Sequence, residues 1–274
     1  MTEILRIDQL SISPAHAPER TLVKQVSFAL QRGKTTCIVG ESGSGKSLTA
    51  LSVMKLLSPQ LRMQGQVFFQ GQDISQLSET AMQRLRGRQM AMIFQEPMTS
   101  LNPVLTIGFQ IGEPLQTHLG LKGQALKQKV AALLEQVGID PARADSYPDE
   151  LSGGQRQRVM IAMSIACEPA LLIADEPTTA LDVTVQAQVL RLLDDLKTRL
   201  HMAMLFITHD FGVVADIADE VIVMFRGEIV ESGSVAQVLQ SPQHPYTRAL
   251  LACVPDAEGK KVLQPMTYDW LAPA

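Results

Sequence analysis

The feature that most constrains this chain is the glycine-rich segment at residues 39–50, VGESGSGKSLTA. The apolar run TTCIV directly precedes the segment, and GKSLTALSVMKLL has the apolar spacing of a helix. Glycines at such a junction let another group approach the main chain closely, because no Cβ stands in the way. The segment therefore predicts a strand, a loop and a helix arranged around a ligand.

The loop fits the phosphate-binding pattern G-x-x-x-x-G-K-[ST]. Its members are Gly40, Glu41, Ser42, Gly43, Ser44, Gly45, Lys46 and Ser47. In such a loop the backbone N–H groups surround a phosphate, and the positive end of the following helix faces the same anion. Lys46 is then expected to reach the β- and γ-phosphates of a nucleoside triphosphate, and the Ser47 hydroxyl to bind Mg²⁺. An ordinary Gly/Ser turn requires neither the strand before it nor the helix after it.

A second candidate element is the acidic pair after the apolar run ALLIA, formed by Asp175 and Glu176. An acidic pair at a strand end is by itself more often a helix cap than a catalytic group. Together with a phosphate-binding loop, it predicts that Asp175 binds Mg²⁺ through water and that Glu176 polarises the attacking water.

Apolar runs alternate with helical patterns along most of the chain, which predicts an α/β fold with a mostly parallel sheet. The candidate buried strands are TTCIV, MAMIF, ALLIAD and AMLFIT. Near the N-terminus, ILRIDQLSI and LVKQVSFAL alternate in hydropathy and predict an added antiparallel piece. A helical pattern runs from about residue 108 to 137 and ends at Gly138, and DEVIVMFRGEIVESG predicts a hairpin turning at Arg226–Gly227.

Charge and hydropathy exclude several classes of protein. The formal net charge is −4 and no block of basic residues is present, so we expect no nucleic-acid partner. No apolar run reaches the roughly 18 residues of a membrane-spanning helix. The first residues, MTEILRIDQL, lack the basic and apolar regions of a signal peptide. The expectation is a soluble protein of the cytosol.

A third motif, LSGGQRQR at residues 151–158, provides a second candidate anion site. Ser152 and the N–H groups of Gly153 and Gly154 would begin a helix, where a phosphate can bind. Ser152 and Gln155 also have the spacing of a capping box, and the two interpretations are compatible. The motif resembles the signature sequence of ABC-type ATPases.

The other motifs of that family follow in the expected order. Gln95 in IFQEP resembles the Q-loop glutamine, Asp182 in TALD the D-loop aspartate, and His209 in FITHD the switch histidine. GESGSGKS, FQEPMTSLNP, ADEPTTALDVTVQAQ and SPQHPYTRALL together resemble the ATPase subunits of peptide and nickel ABC importers. The resemblance extends from about residue 4 to 250.

The resemblance implies a P-loop NTPase of the ABC ATPase fold, with an N-terminal antiparallel β subdomain and a helical subdomain at about 96–160. The ABC domain would span 1–250, and 251–274 would be a short tail. The implied ligands are ATP and Mg²⁺. Glu176, His209 and Gln95 would be catalytic, and Ser47, Gln95 and Asp175 would hold the metal. The loop at 40–47 would bind the nucleotide, together with Ser152, Gly153, Gly154, Gln155 and Asp182.

In that family two ATPase domains face each other, and the signature helix of one completes the ATP site of the other. The implied partners are a second ATPase subunit of related but different sequence and two integral membrane permease subunits. An extracytoplasmic substrate-binding protein would act indirectly. The chain would then lie peripherally on the cytoplasmic face of the membrane.

Three questions stay open at this point, namely the class of ATPase, the transported compound and the residue that contacts the base. A soluble ABC ATPase of DNA repair would need a long coiled coil between Lys46 and Ser152, and a translation factor would need two cassettes. The transported compound could be a peptide or nickel, and the short tail leans toward nickel or metal chelates. No aromatic residue precedes Phe28, where relatives stack adenine, so Ile12 or His16 would contact the base.

Overall fold

The computed structural model describes residues 2–94, 100–179 and 181–253, and within these ranges the chain forms two β-sheets surrounded by helices. The strands, in chain order, are β1 (Glu3–Pro14), β2 (Val23–Gln31), β3 (Thr35–Val39), β4 (Leu61–Phe69), β5 (Gln72–Asp73), β6 (Met90–Ile93), β7 (Leu171–Asp175), β8 (Ala203–Thr208), β9 (Glu220–Phe225) and β10 (Glu228–Ser234).

The helices lie between and after these strands. In chain order they are α1 (Lys46–Val53), α2 (Glu79–Leu85), α3 (Ile107–Leu119), α4 (Gly123–Gln136), α5 (Gly153–Ile165), α6 (Val183–Leu200), α7 (Phe211–Ile217), α8 (Val235–Gln240) and α9 (Pro245–Ala252). None of the helices within the described ranges combines the length and the apolar character needed to cross a bilayer.

The larger sheet has the strand order β10-β9-β3-β8-β7-β6. Strands β9, β3, β8, β7 and β6 pair in parallel, and β10 pairs antiparallel with β9 around the turn at Arg226–Gly227. The predicted parallel core and the predicted hairpin are both confirmed. The order also places β8 between β3 and β7, although β8 follows both of them in sequence.

The core strands read as continuous apolar runs because both faces of the parallel sheet are covered. Successive side chains of β3 alternate between two apolar clusters, with Cys37 and Val39 in one and Ile38 in the other. Helices α3 to α7 contribute to the first cluster, and the N-terminal sheet and α1 contribute to the second.

The smaller sheet is antiparallel, with the order β2-β1-β4-β5, as the alternating N-terminal pattern predicts. Its strand β1 continues to Pro14 and pairs on both sides, with Ile12 opposite Val23 of β2 and Met63 of β4. Ile12 is completely buried in this arrangement.

The described residues between β6 and β7 include the helices α3, α4 and α5, and the pattern at 108–137 forms two helices rather than an uninterrupted one. The break follows α3, where Gly120 adopts a left-handed conformation with φ 67° and caps the helix. Gly138 follows α4 with φ 72°, as expected for a residue just past a helix C-terminus. The helix α5 continues to Ile165, and α9 continues to Ala252, beyond the boundaries expected at 160 and 250.

Candidate nucleotide-binding site

The glycine-rich loop, the acidic pair and His209 meet at the carboxyl edge of three adjacent parallel strands, β3, β8 and β7. At this edge Val39 is opposite Thr208, and Asp175 is opposite Ile207. The glycine-rich loop therefore leaves β3 next to the segment that carries His209 after β8. Ligands of open α/β sheets bind outside the carboxyl ends of the strands, so the topology alone points to this edge.

The glycines of the loop are required partly by the protein itself. A Cβ on Gly40, whose φ is 150°, would lie 2.1 Å from the carbonyl oxygen of Met224. A Cβ on Gly45, whose φ is 103°, would lie 3.0 Å from Val23 Cγ2. In contrast, a Cβ placed on Gly43 would have no neighbouring atom within 4 Å in the described part of the chain. The group that comes close to the loop backbone at Gly40 is therefore the β9–β10 hairpin of the protein itself. The space that a ligand could occupy lies at Gly43.

The Lys46 side chain lies within the loop and is only 5% exposed. Its ammonium donates hydrogen bonds to the carbonyl oxygens of Gly40 and Glu41, both at 2.8 Å. Burial lowers the pKa of Lys46, while the carboxylates of Glu176 and Asp175 act in the opposite direction. A desolvated cation held at this position is suited to binding phosphate oxygens.

Ser47 and Asp175 connect the loop to β7. The Ser47 hydroxyl donates a hydrogen bond to Asp175 Oδ1 at 3.0 Å, and Asp175 is 5% exposed. Burial raises the pKa of Asp175, and the Ser47 hydrogen bond opposes that effect. Ser44 Oγ is also buried in the loop and has no hydrogen-bond partner among the residues that the structure describes. The Ser47 hydroxyl and the Asp175 carboxylate provide oxygen ligands that suit Mg²⁺, and the Ser44 hydroxyl suits a phosphate.

Glu176 follows Asp175 directly and adopts a left-handed conformation with φ 46°, which is unfavourable for a glutamate. Its N–H donates to Ile207 O at 3.0 Å, which holds it against β8. The side-chain oxygen Oε2 accepts a hydrogen bond from Thr179 Oγ1 at 3.0 Å and lies 3.3 Å from His209 Nδ1. Two of the three residues expected to be catalytic are thus in contact, with the Glu176 side chain 13% exposed and that of His209 58% exposed.

The signature residues form a separate exposed cluster at the start of α5. Ser152 Oγ accepts the Gln155 N–H at 3.3 Å, and Gln155 Oε1 accepts the Ser152 N–H at 3.0 Å. The capping box is therefore present, while Ser152 and Gly153 remain exposed. Gly154 packs on α6, because a Cβ there would lie 2.7 Å from Val185 Cγ1. Asp182 begins α6 and accepts the Val185 N–H at 3.0 Å.

One expectation is wrong, and another concerns a residue that the structure does not describe. The expectation that Ile12 contacts the adenine is wrong, because β1 continues past it and its side chain is enclosed by the core. His16 lies in the exposed loop between β1 and β2 and stays a candidate. Gln95, expected both to bind Mg²⁺ and to take part in catalysis, lies outside the described residues.

The structure adds two residues that the sequence analysis did not select. Thr179 donates to Glu176, and its position in the EPTTALD segment was the available signal. Tyr246 accepts a hydrogen bond from the Glu41 N–H at 3.0 Å. The HPYT segment carried the family resemblance, but nothing in its spacing indicated a contact with the loop.

Comparison with family models gives two matches. A model described as ABC transporter matches residues 23–179. A model described as oligopeptide/dipeptide transporter, C-terminal region, matches residues 230–268.

Two kinds of curated relative are about 50% identical in sequence to this chain. The oligopeptide transport ATP-binding protein OppD of Bacillus subtilis (strain 168) is 49% identical over 264 residues, which cover 94% of this chain and 74% of that protein. The glutathione import ATP-binding protein GsiA of Escherichia coli O1:K1 / APEC is 50% identical over 271 residues. That match covers 95% of this chain but 44% of GsiA, so the chain spans less than half the length of that relative.

Two solved structures have the same fold at lower identity. One is the dimeric post-hydrolysis state of the ATP-binding cassette MJ0796 bound to ADP and Pi, with a TM-score of 0.75 and 25% identity over 85% of this chain and 99% of that chain. The other is CbiO1 from Clostridium perfringens, part of the ABC transporter complex CbiONQ, with a TM-score of 0.76 and 25% identity over 88% and 92%. The predicted fold class is confirmed.

The buried carboxylate of Asp175 leads to a prediction about stability. Asp175→Asn removes a charge whose burial is unfavourable but keeps an oxygen that can accept the Ser47 hydrogen bond. We expect the nucleotide-free variant at pH 7 to melt at a higher temperature, by roughly 2–4 °C for each kcal/mol recovered. The variant should also lose the additional stabilisation that Mg²⁺ gives to wild-type protein with ATP. Thermal unfolding with and without the ligands measures both effects.

The matched control is Asp195→Asn, because Asp195 is exposed on α6. Its melting temperature and its response to Mg²⁺ should equal those of wild type. A nucleotide-free Asp175→Asn protein that melts at or below the wild-type temperature would contradict the proposed cost of burial.

Proposed function

This chain belongs to the ABC transporter family, and from that premise we propose that it binds and hydrolyses ATP to energise an importer. The observation that carries the proposal is the contact of the Ser47 hydroxyl with the buried Asp175, beside the enclosed ammonium of Lys46. Hydroxyl, carboxylate and ammonium are the groups that P-loop NTPases use to hold a magnesium-bound triphosphate.

Each residue of the site has a distinct role in the proposed reaction. Lys46 exchanges its two carbonyl partners for oxygens of the β- and γ-phosphates. Ser47 and Asp175 would hold Mg²⁺, with Gln95 as a further ligand proposed from the sequence. When bound, the metal neutralises the charge that develops on the transferred phosphoryl group.

Glu176 takes a proton from the attacking water, and its contact with His209 supports this assignment. The distance of 3.3 Å between Oε2 and Nδ1 lets the imidazole orient the carboxylate. The hydrogen bond from Thr179 restrains the same oxygen at 3.0 Å. A glutamate held in a left-handed conformation by Ile207 is a strained residue at a position where strain often accompanies function.

The signature residues would serve a second ATPase subunit. Ser152 and Gly153 are exposed at the start of a helix of 13 residues, where an anion is stabilised by free N–H groups and by the helix dipole. Gln155 fixes the geometry of that helix start, and Gly154 lets it pack on Val185. Asp182 lies next to this packing contact, at the start of α6. The two ATP sites would form between two such chains.

We propose peptides as the transported compounds, with nickel or a metal chelate as the alternative. The match of residues 230–268 to the oligopeptide/dipeptide region supports peptides. The names of the relatives, which concern oligopeptide and glutathione import, support the same class. No observation favours a DNA-repair or translation-factor ATPase.

The proposed partners are two membrane permease subunits, with a substrate-binding protein acting on the other side of the membrane. The chain would bind the permeases at the cytoplasmic face through the helical subdomain at about 96–160. That region exposes Val104 and Phe109, at 75% and 54%, which suits a protein contact. The ABC domain is proposed to span 1–250, with 251–274 as a tail.

The role of Glu176 gives the first test of this function. Glu176→Gln keeps the shape and hydrogen-bonding capacity of the side chain but removes the base. We expect ATP to bind as in wild type and turnover to fall by about 10²-fold or more. The control is Glu135→Gln on the exposed surface of α4, which should hydrolyse ATP at the wild-type rate. Turnover near normal in Glu176→Gln would refute the assignment.

The second test concerns the partner ATPase, which is proposed to be a related but different polypeptide. An affinity tag on this chain should recover a transporter in which the two ATPase chains have different masses. Native mass spectrometry of that assembly measures the composition directly. A complete, active transporter that contains two copies of this chain would refute the heterodimer.

The third test concerns the base of the nucleotide. With Ile12 buried and no aromatic residue before Phe28, a stacking contribution of about 1–3 kcal/mol per base is missing from the usual position. We expect GTP to be hydrolysed at a rate within about tenfold of ATP, because the phosphates still bind. Parallel rate measurements on the assembled complex decide this, and a much larger preference for ATP would reveal a platform elsewhere.

A further inference from the structure

Tyr246 is a buried polar side chain that is distant from the glycine-rich loop in sequence but contacts it in the fold. It lies near the start of α9 with an exposed fraction of 0%. Its ring packs against Phe225, with the ring centroids 4.3 Å apart and the planes at 40°. A phenol hydroxyl at this depth requires a hydrogen-bond partner.

The partner is the main chain of the loop itself. The Tyr246 hydroxyl oxygen accepts a hydrogen bond from the Glu41 N–H at 3.0 Å. The carbonyl of the same peptide unit belongs to Gly40 and accepts a hydrogen bond from Lys46 Nζ at 2.8 Å. In a trans peptide the N–H and the C=O point to opposite sides. Tyr246 and Lys46 therefore hold one peptide unit from its two sides, and a rotation of that unit would break both bonds.

The backbone of the β9–β10 hairpin also approaches this peptide unit closely. A Cβ placed on Gly40 would lie 2.1 Å from the carbonyl oxygen of Met224. The second acceptor of the Lys46 ammonium is the carbonyl of Glu41, also at 2.8 Å. The two carbonyl acceptors of Lys46 thus belong to the peptide units on either side of Glu41. Tyr246 holds the N–H of the first of these units.

Hydrogen bonds to Glu231 of strand β10 hold the segment just before Tyr246 in place. Glu231 on β10 accepts the backbone N–H groups of Gln243 at 2.7 Å and His244 at 2.9 Å. The His244 side chain then caps α9, because its Nδ1 accepts the Tyr246 N–H at 3.1 Å. Pro245 occupies the first turn, where a missing N–H costs nothing. The start of α9 therefore holds the Tyr246 hydroxyl in position beside the loop.

We propose that Tyr246 is a positioning residue for nucleotide binding, which fixes the Gly40–Glu41 peptide and through it the ammonium of Lys46. The segment from β10 to α9 is then coupled to the nucleotide site through the hydrogen bond between Tyr246 and Glu41. The inference rests on the proposed function, since it assumes that the loop binds a nucleotide. It assigns no contact between Tyr246 and the nucleotide.

The variant Tyr246→Phe tests the hydroxyl, because it keeps the ring that packs on Phe225. Without the Tyr246 hydroxyl, the Glu41 N–H loses this hydrogen bond. The loop conformation that binds nucleotide therefore becomes less populated. We expect the dissociation constants for ATP and ADP to rise by about three- to tenfold, the effect of one lost hydrogen bond on that population. Amide hydrogen exchange at Glu41 should be faster in the nucleotide-free variant. Isothermal titration and mass-spectrometric exchange on the full chain measure the two quantities.

The matched control is Tyr147→Phe, which removes a hydroxyl from a tyrosine that is 44% exposed. Its nucleotide affinity and its exchange at Glu41 should equal those of wild type. A double-mutant cycle with Lys46→Ala then separates positioning from general loosening. Lys46→Ala should weaken ATP binding by about 30-fold or more, since it removes a direct charge–phosphate contact. In that background Tyr246→Phe should change affinity by less than about twofold, because no lysine is left to position.

The outcomes of these measurements are distinct. Wild-type protein that binds no nucleotide, or a Lys46→Ala variant with wild-type affinity, would overturn the proposed function and the inference together. Nucleotide binding by wild type and weakening by Lys46→Ala, with Tyr246→Phe within twofold of wild type, would overturn the inference alone. The same factor lost in both backgrounds would assign Tyr246 a general structural role, as would a Tyr246→Phe protein that is unfolded at the assay temperature.

Discussion

The hydrogen bond between Ser47 and Asp175 is the interaction on which the rest of the site depends. It joins the first turn of α1 to the end of β7, at a distance of 3.0 Å, across the end of the intervening strand β8. Such a bond requires the sheet order, the direction of the three parallel strands and the tight loop after β3 at the same time. Because both groups are also ligands suited to Mg²⁺, the proposed metal site would be assembled by the fold before any ligand binds.

The charges around this bond are arranged for a ligand rather than for the stability of the nucleotide-free protein. Burial lowers the pKa of Lys46 and raises the pKa of Asp175, so desolvation acts against the charged form of each group. The two groups attract each other, yet the ammonium is held by the neutral carbonyls of Gly40 and Glu41. A triphosphate with a divalent cation would supply the missing opposite charges in a region of low dielectric, where they act strongly.

The parts that the sequence predicted well are those in which neighbouring residues carry the information. The apolar runs identified the buried strands, and the loop and the acidic pair identified the site. Ile12 was misassigned because the alternating pattern does not show where β1 ends. The strand has register shifts between Ile7 and Leu10 and again before Ile12, and its pairing continues to Pro14. Burial at this position is therefore decided by the partner strands and not by the local pattern.

The shape of the loop depends on segments that no local pattern connects. Met224 and Gly227 support it from the β9–β10 hairpin, Val23 packs on Gly45, and Tyr246 holds the Glu41 amide from α9. A glycine motif explains how the chain can adopt this conformation, but these contacts determine that it does so without a ligand. The conformational freedom of the glycines would otherwise have to be lost on binding, at the expense of affinity. A loop that is preformed without a ligand therefore also depends on helix α9, through the hydrogen bond from the Glu41 N–H to Tyr246.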